Sequence, residues 1–235
     1  MGGSCPDGFG SRIQKSARRF QFCQTCCPRT PQQGGWCMKQ DVTVISLRQF
    51  ESAGGLSDGY AFEDFSCPLN EEVQDFLQKK AVHSLHLGAS MTYLVYDNKT
   101  SCLLGYFTLV LKSFSIEKDK LSKTKCRLIE RFADVDRNRY TAAVYLIAQI
   151  GKNFALDDDE RISGDELLKL AFEKLYAARE LVGGKLVLVE RDMKSPELVK
   201  FYTRWNFQSW NERHDDKDGV DYDQMLCVLN NAQVA

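Results

Sequence analysis

A short stretch in the second half of the chain has the residue types of a phosphate-binding helix start. Ser163 and Gly164 open a run of good helix formers that continues to position 182. The first N–H groups of a helix lack partners within the helix and carry a partial positive charge, so they bind phosphate without a charged side chain. A glycine lets the backbone approach the phosphate closely, and Arg161 adds a charge-assisted contact.

The same residues also fit a capping box. In that arrangement a serine and a glutamate three positions later satisfy the N–H groups at the helix start, and Ser163 and Glu166 have this spacing. The carboxylates of Asp165 and Glu166 would then compete with a phosphate for the helix start, and the acidic run 157–160 repels phosphate too. Both interpretations stay open at the level of sequence.

The apolar pattern predicts the elements that position this helix. Helices are predicted over 70–87, 163–182 and 195–205, because apolar residues recur at helical spacing or a capping signal begins the run. Strands are predicted over 42–47, 91–96, 102–111, 142–150, 185–190, 207–210 and 225–229. Residues 112–139 are predicted to form a long polar connection with some helix. This order predicts an α/β (α+β) fold, a mixed and mostly antiparallel sheet flanked by helices on both faces. The unit at 142–190 should be a right-handed parallel crossover.

Composition and charge narrow the classes of function. The chain has 235 residues, of which 43% are hydrophobic and 27% charged, and its net charge is −1. This balance gives no global attraction to nucleic acid or to a membrane surface. No apolar stretch approaches the roughly 18 residues that span a bilayer, and the N-terminus lacks the apolar middle of a signal peptide. A soluble, cytoplasmic protein is therefore expected.

Residues 1–37 differ from the rest of the chain. They are rich in basic residues and cysteine and show no apolar periodicity, so they are predicted to form a flexible extension. The domain is predicted to occupy 38–235, and a translation start at Met38 would make the extension an upstream addition. Cys23 and Cys26 resemble half a zinc site, but no histidine precedes His83, so no metal is expected. The scattered cysteines are expected to be reduced and mostly buried: Cys67, Cys102, Cys126 and Cys227.

Three stretches resemble the GNAT superfamily of N-acetyltransferases over roughly 38–229. Residues 145–151 are similar to the family's central strand, whose splayed end holds the pantetheine arm of coenzyme A. Residues 161–168 are similar to its phosphate loop and the following helix, although Glu166 stands where the family has a small residue. Residues 201–207 are similar to its Phe-Tyr-x-x-x-Gly-Phe ending, with Asn206 in place of the glycine. Asparagine tolerates the left-handed conformation expected there.

The resemblance implies an acyl-CoA-dependent enzyme that transfers an acetyl group from acetyl-CoA to a primary amine. The resemblance leaves open whether this amine belongs to a small molecule, a peptide or a protein. Tyr202 matches the tyrosine that protonates the CoA sulfur, and Glu190 is a candidate general base. An aromatic pair of Phe201 with Tyr202, and an ion-pair role for Glu190, are the structural alternatives. The expected cofactor-binding residues are Ile150, Gly151, Lys152, Arg161, Ser163, Gly164 and Asp165, and the N–H of Ile150 or Gly151 would polarise the thioester carbonyl.

Two other functions stay open. One is a toxin-type acetyltransferase that acts on aminoacyl-tRNA, which would bring an antitoxin partner and a basic acceptor groove. A basic strip could form that groove: Lys112, Lys118, Lys120, Lys123, Lys125, Arg127 and Arg131. Such lysine runs are usually solvated surface. The other is a non-catalytic CoA-binding or interaction module, and under any of these functions the closing strands could pair in a homodimer.

Overall fold

The structure, a computed structural model, describes residues 41–56, 62–216 and 219–230. The predictions for residues 1–37, including the cysteine pair Cys23 and Cys26, lie outside the described residues.

The described residues form eight strands and five helices, besides a short 3-10 turn. The strands are β1 Val42–Ser46, β2 Met91–Asp97, β3 Leu103–Glu117, β4 Asp134–Asp136, β5 Arg139–Lys152, β6 Leu186–Asp192, β7 Gln208–Asp215 and β8 Val220–Val228. Helix α1 is Leu47–Ser52, and helix α2 runs through three consecutive segments, Glu71–Asp75, the π-helical turn Phe76–Lys80 and Ala81–His86. After a 3-10 turn at Lys118–Lys120 come α3 Lys123–Ile129, α4 Gly164–Val182 and α5 Pro196–Arg204.

The strands form one mixed sheet in the order β1-β2-β3-β5-β6-β8-β7, and β4 pairs with β5. Strands β5 and β6 are parallel, with Tyr145 opposite Val187. The pairs β1–β2, β4–β5, β6–β8 and β7–β8 are antiparallel. The predicted α/β class, the mostly antiparallel sheet and the parallel crossover from β5 to β6 are confirmed.

The described residues fall into two compact units. The first contains 41–107 and 149–168, and the second contains 108–148 and 169–230. In the first unit Leu47, Leu77 and Leu94 pack in one apolar cluster with Phe65 and Tyr106. The second unit has its own cluster, which includes Phe114, Ile129, Tyr140, Leu188 and Leu226.

For 112–139 the prediction was a long polar connection with some helix; the helix is present, but the strands in this range were missed. Strand β3 continues to Glu117, and α3 and β4 follow it. Phe114 and Ile116 alternate with polar neighbours and are only 2% and 3% exposed, which is the pattern of a strand with one buried face. Charged residues on either side, Lys112 and Glu117, make this stretch resemble a polar connection in the sequence.

The expectation of mostly buried thiols was half right. Cys67 and Cys227 are buried, whereas Cys102 and Cys126 are partly exposed, and all four are free thiols.

Candidate functional site

The end of strand β5 is packed so closely that it accepts only glycine. A Cβ atom on Gly151 would lie 2.4 Å from Cγ1 of Val73 in helix α2, well inside van der Waals contact. A Cβ on Gly105 in β3 would lie 2.7 Å from the carbonyl oxygen of Gly151. The two glycines therefore let the backbones of β3 and β5 and the start of α2 meet at this strand end. Ile150 and Lys152, on either side of Gly151, are both half-buried.

Asn153, the residue after β5, fixes the direction in which the chain leaves the sheet. Its side chain is 3% exposed, and its Oδ1 accepts hydrogen bonds from the N–H groups of Ser66 and Ala155, both at 3.0 Å. Its Nδ2 donates to the carbonyls of Asp64 at 3.2 Å and Leu103 at 3.0 Å. Both donors and both lone pairs of the amide are thus used. The sequence gives no signal for this role, because three of the four partners lie at least 50 positions away.

The loop between β5 and α4 is held by an arginine. The Arg161 guanidinium donates to the carbonyl of Leu156 at 2.8 Å and to that of Phe154 at 3.1 Å, and it pairs with Asp158. Two cations contact the Phe154 ring, with Lys152 Nζ and the Arg161 guanidinium carbon each 5.1 Å from its centroid. Arg161 therefore stabilises the loop. Its guanidinium would have to contact a phosphate in addition to these three partners.

Helix α4 begins with the capping box that the sequence allows. The Ser163 hydroxyl accepts the N–H of Glu166 at 3.1 Å. The Glu166 carboxylate accepts the N–H of Ser163 at 3.0 Å and its hydroxyl at 2.7 Å. The box uses the N–H groups of Ser163 and Glu166, so those of Gly164 and Asp165 lie outside it. Asp165 and Glu166 are the two acids of the first turn.

The seven residues expected to bind the cofactor all lie in the first unit. These are Ile150, Gly151, Lys152, Arg161, Ser163, Gly164 and Asp165. Backbone N–H groups at a helix start and the charge of Lys152 fit a phosphate-bearing cofactor. The carboxylate of Glu166 is the group that opposes such a ligand most directly.

Tyr202 lies in the second unit and is 7% exposed. Its ring stacks edge-on against Phe201 and Phe207, with centroids 5.1 Å and 5.5 Å away. Burial raises its pKa to about 12, because the phenolate would lose its hydration. The hydroxyl is therefore protonated at neutral pH and can act only as a proton donor. The helix carrying it starts with Pro196, and Asn206 after its end has the expected positive φ of 63°.

Glu190 sits at the centre of an ion-pair network in the same unit. Its Oε1 accepts hydrogen bonds from Gln224 at 2.6 Å and Lys112 at 3.0 Å, and Arg213 Nε lies 3.4 Å away. Burial pushes the pKa of this carboxyl up, but the hydrogen bonds from Gln224 and Lys112 and the two positive charges outweigh burial and lower it. A carboxylate held in this way is a weak base, so the geometry favours the ion-pair role over the catalytic one.

Most of the basic strip is occupied by contacts inside the second unit. Lys112 binds Glu190, and Lys125 donates to the Ser209 carbonyl at 2.6 Å. Lys118 lies over the Tyr140 ring and Lys125 over the Trp210 ring. Lys120 is 3.9 Å from Glu117. Three cations remain for a ligand: Lys123, Arg127 and Arg131.

Two of the three histidines lie beside carboxylates. His86 lies 2.6 Å from Glu51, and His214 lies 2.7 Å from Asp221 and 3.8 Å from Asp216. Over 41–56, 62–216 and 219–230, no three His, Cys, Asp or Glu side chains are placed to hold a metal ion. Within the same described ranges, no helix is both long enough and apolar enough to cross a membrane.

Comparison with known proteins finds similarity in three-dimensional structure only. No protein-family profile and no curated protein sequence matches the chain. A Tyr-to-Phe mutant of KacT is 18% identical, with a TM-score of 0.53 over 79% of this chain and 95% of that one. A Tyr-to-Phe mutant of the toxin AtaT, bound to acetyl-CoA and the C-terminus of the antitoxin AtaR, is 16% identical. Its TM-score is 0.52 over 80% of this chain and 94% of that one. AtaT complexed with acetyl-methionyl-tRNAfMet is 18% identical, with a TM-score of 0.51 over 77% and 94% of the two chains.

Proposed function

Since the chain has the fold of the GNAT superfamily, we propose that it is an acetyl-CoA-dependent N-acetyltransferase. The acceptor is a primary amine of a small molecule, a peptide or a protein. One observation carries the proposal. The strand end at Gly151, the loop anchored by Asn153 and the helix start at Gly164 follow one another within a single compact unit. The AtaT structure with acetyl-CoA, which covers 80% of this chain, supports the same cofactor.

Acetyl-CoA supplies an acetyl thioester, and each group of the protein would act on a different part of it. The backbone N–H of Ile150 or Gly151 would donate a hydrogen bond to the thioester oxygen as negative charge develops there. Lys152 and the N–H groups of Gly164 and Asp165 would bind the phosphates. Tyr202 would donate its proton to the departing sulfur, the role that the resemblance implies for it. The amine must attack in its neutral form, which for a lysine side chain requires loss of a proton with a pKa near about 10.4.

Titration calorimetry with acetyl-CoA tests the cofactor assignment directly. We expect one binding site per chain and a rise in the melting temperature that grows with ligand concentration, since a ligand that binds only the folded state stabilises it. A Gly164→Pro variant, which removes one N–H from the helix start but keeps a residue tolerated there, should bind more weakly. The absence of heat and of stabilisation at millimolar acetyl-CoA would overturn the proposal.

A narrower candidate, acetylation of aminoacyl-tRNA, is favoured by the likeness to AtaT in complex with acetyl-methionyl-tRNAfMet. Lys123, Arg127 and Arg131 could contact the nucleic acid. Labelled acetyl-CoA should be offered with charged tRNA, with the same tRNA uncharged, and with a panel of amines and peptides. Label on charged tRNA alone would support this candidate and make an antitoxin partner worth seeking, whereas label on amines alone would eliminate it.

The same assay separates catalysis from a non-catalytic module. Tight binding of acetyl-CoA without transfer to any amine, peptide or charged tRNA would favour a CoA-binding or interaction role. Transfer to any one acceptor would exclude it.

A further inference from the structure

We propose that Glu166 lowers the cofactor affinity of this protein, because its carboxylate occupies the N–H of Ser163 and places a negative charge at the helix start where a phosphate would bind. The inference rests on the proposed function, because it concerns the phosphates of acetyl-CoA at the start of α4. It makes Glu166 a residue that weakens binding, whereas the neighbouring strand end and helix start strengthen it.

The geometry of the capping box carries this inference. Glu166 turns back over the helix start, where its carboxylate accepts the Ser163 N–H at 3.0 Å and the Ser163 hydroxyl at 2.7 Å. The Ser163 hydroxyl in turn accepts the Glu166 N–H at 3.1 Å. Two of the N–H groups closest to the positive end of the helix are therefore satisfied before any ligand arrives.

A phosphate and this carboxylate compete for the hydrogen-bond donors and the partial positive charge at the helix start. Both are anions whose oxygens accept N–H bonds at a helix start, and both are stabilised by the partial positive charge there. With the box closed, a phosphate at this helix start faces the negative charge of the Glu166 carboxylate.

The capping box also stabilises the protein when no ligand is bound. Stability and cofactor affinity must therefore be measured separately to distinguish the proposal from a purely structural role. Removing a helix cap ordinarily weakens the folded state, so a Glu166→Ala variant should melt a few degrees lower in the absence of acetyl-CoA. If the carboxylate competes with phosphate, the same variant should bind acetyl-CoA more tightly. A residue that only stabilises the helix predicts the first effect and not the second.

The test compares the wild type with Glu166→Ala, Glu166→Gln and a matched control, Glu173→Ala, by titration calorimetry and thermal unfolding. Glu173 is an exposed acid of the same helix, nine positions beyond Gly164, so its removal changes net charge equally. We expect the Kd for acetyl-CoA to fall about two- to fivefold in Glu166→Ala, in line with one charge at a helix terminus. Glu166→Gln, which loses the charge but keeps an acceptor oxygen, should lie between, and Glu173→Ala should leave the Kd unchanged.

S-acetylpantetheine, which carries the thioester but no phosphates, localises the effect. Its Kd should be the same in wild type and Glu166→Ala if the carboxylate acts on the phosphates. An unchanged Kd for acetyl-CoA in Glu166→Ala, or an equal gain for S-acetylpantetheine, would overturn the inference and leave the proposed function standing. Failure of acetyl-CoA to bind any of the variants would instead overturn the proposed function, and the inference with it.

Discussion

At the scale of single residues, the environment of Tyr202 restricts what it can do. Its pKa of about 12 exceeds that of an ordinary thiol, near about 8.5, by several units. Complete transfer of its proton to a free thiolate would therefore be uphill. A hydrogen bond from the Tyr202 hydroxyl to sulfur, which strengthens as charge leaves the thioester, needs no such transfer. Transfer to sulfur becomes complete when Tyr202 regains a proton from the attacking amine, which must lose one to form the amide, and this leaves a neutral tyrosine and a neutral thiol.

The variant Tyr202→Phe should lower kcat by about 100-fold, at the lower end of the range for general acids, and change the Kd for acetyl-CoA little. Because the hydroxyl titrates near pH 12, the wild-type rate should show no loss from Tyr202 ionisation up to pH 10. Steady-state rates between pH 6 and pH 10 on an identified acceptor check both statements. Tyr145→Phe is the control, since that hydroxyl binds the Gly183 carbonyl and should affect stability only. Equal rates for Tyr202→Phe and wild type would remove Tyr202 from the mechanism.

For Glu190 we expect loss of stability without loss of chemistry. Its side chain is 14% exposed and carries bonds from Lys112 and Gln224, so Glu190→Gln should cost about 1–3 kcal/mol of unfolding free energy at pH 7. Its pKa is lowered from 4.5, so this contribution is complete above that pH and declines as the pH falls through the lowered pKa. Urea unfolding at pH 7 and pH 3 should therefore show the difference between variant and wild type shrinking in acid. A 100-fold drop in kcat with unchanged stability would instead identify Glu190 as the base.

At the scale of elements, the sequence predicted the features that are local along the chain. The start of α4 and its capping box are defined by Ser163 and Glu166, which are three positions apart, and Asn206 follows directly after α5. Features that depend on distant partners were not predictable. Asn153 binds Ser66, 87 positions away, and Lys112 binds Glu190, 78 positions away. Nothing in the sequence distinguishes Asn153 or Lys112 from a solvent-exposed polar residue.

Gly151 gives the sharpest test of how β5 and α2 meet. Gly151→Ala should destabilise the protein by about 1–3 kcal/mol, because its Cβ would stand 2.4 Å from Val73 Cγ1. The φ angle of Gly151 lies outside the positive range. The loss of stability would therefore come from steric overlap and not from backbone strain. The double variant Gly151→Ala/Val73→Ala should therefore be more stable than the sum of the two single changes implies. Urea unfolding of all four proteins measures this coupling, and strict additivity would show that the contact is relieved by backbone movement.

At the scale of the whole molecule, charge determines which acceptors are approached from a distance. The net charge is −1 with 31 basic and 32 acidic residues, so the protein has no overall attraction for a polyanion. In the second unit, Lys112 and Lys125 are held by Glu190 and by the Ser209 carbonyl. Any binding of tRNA must then depend on a few local cations.

If aminoacyl-tRNA is the acceptor, its binding should show a shallow dependence on salt. Three cations, Lys123, Arg127 and Arg131, would give a slope of log K against log salt of about −2 to −3, since each phosphate contact contributes a little under one. Filter binding of charged tRNA between 50 and 300 mM salt measures this slope. Changing the three residues to glutamine should bring it close to zero, whereas changing Lys99, Lys174 and Lys185 elsewhere on the chain should leave it unaltered. A slope steeper than −5 would show that tRNA contacts a different and more basic surface, and no binding at the lowest salt would leave a small molecule or a peptide as the acceptor.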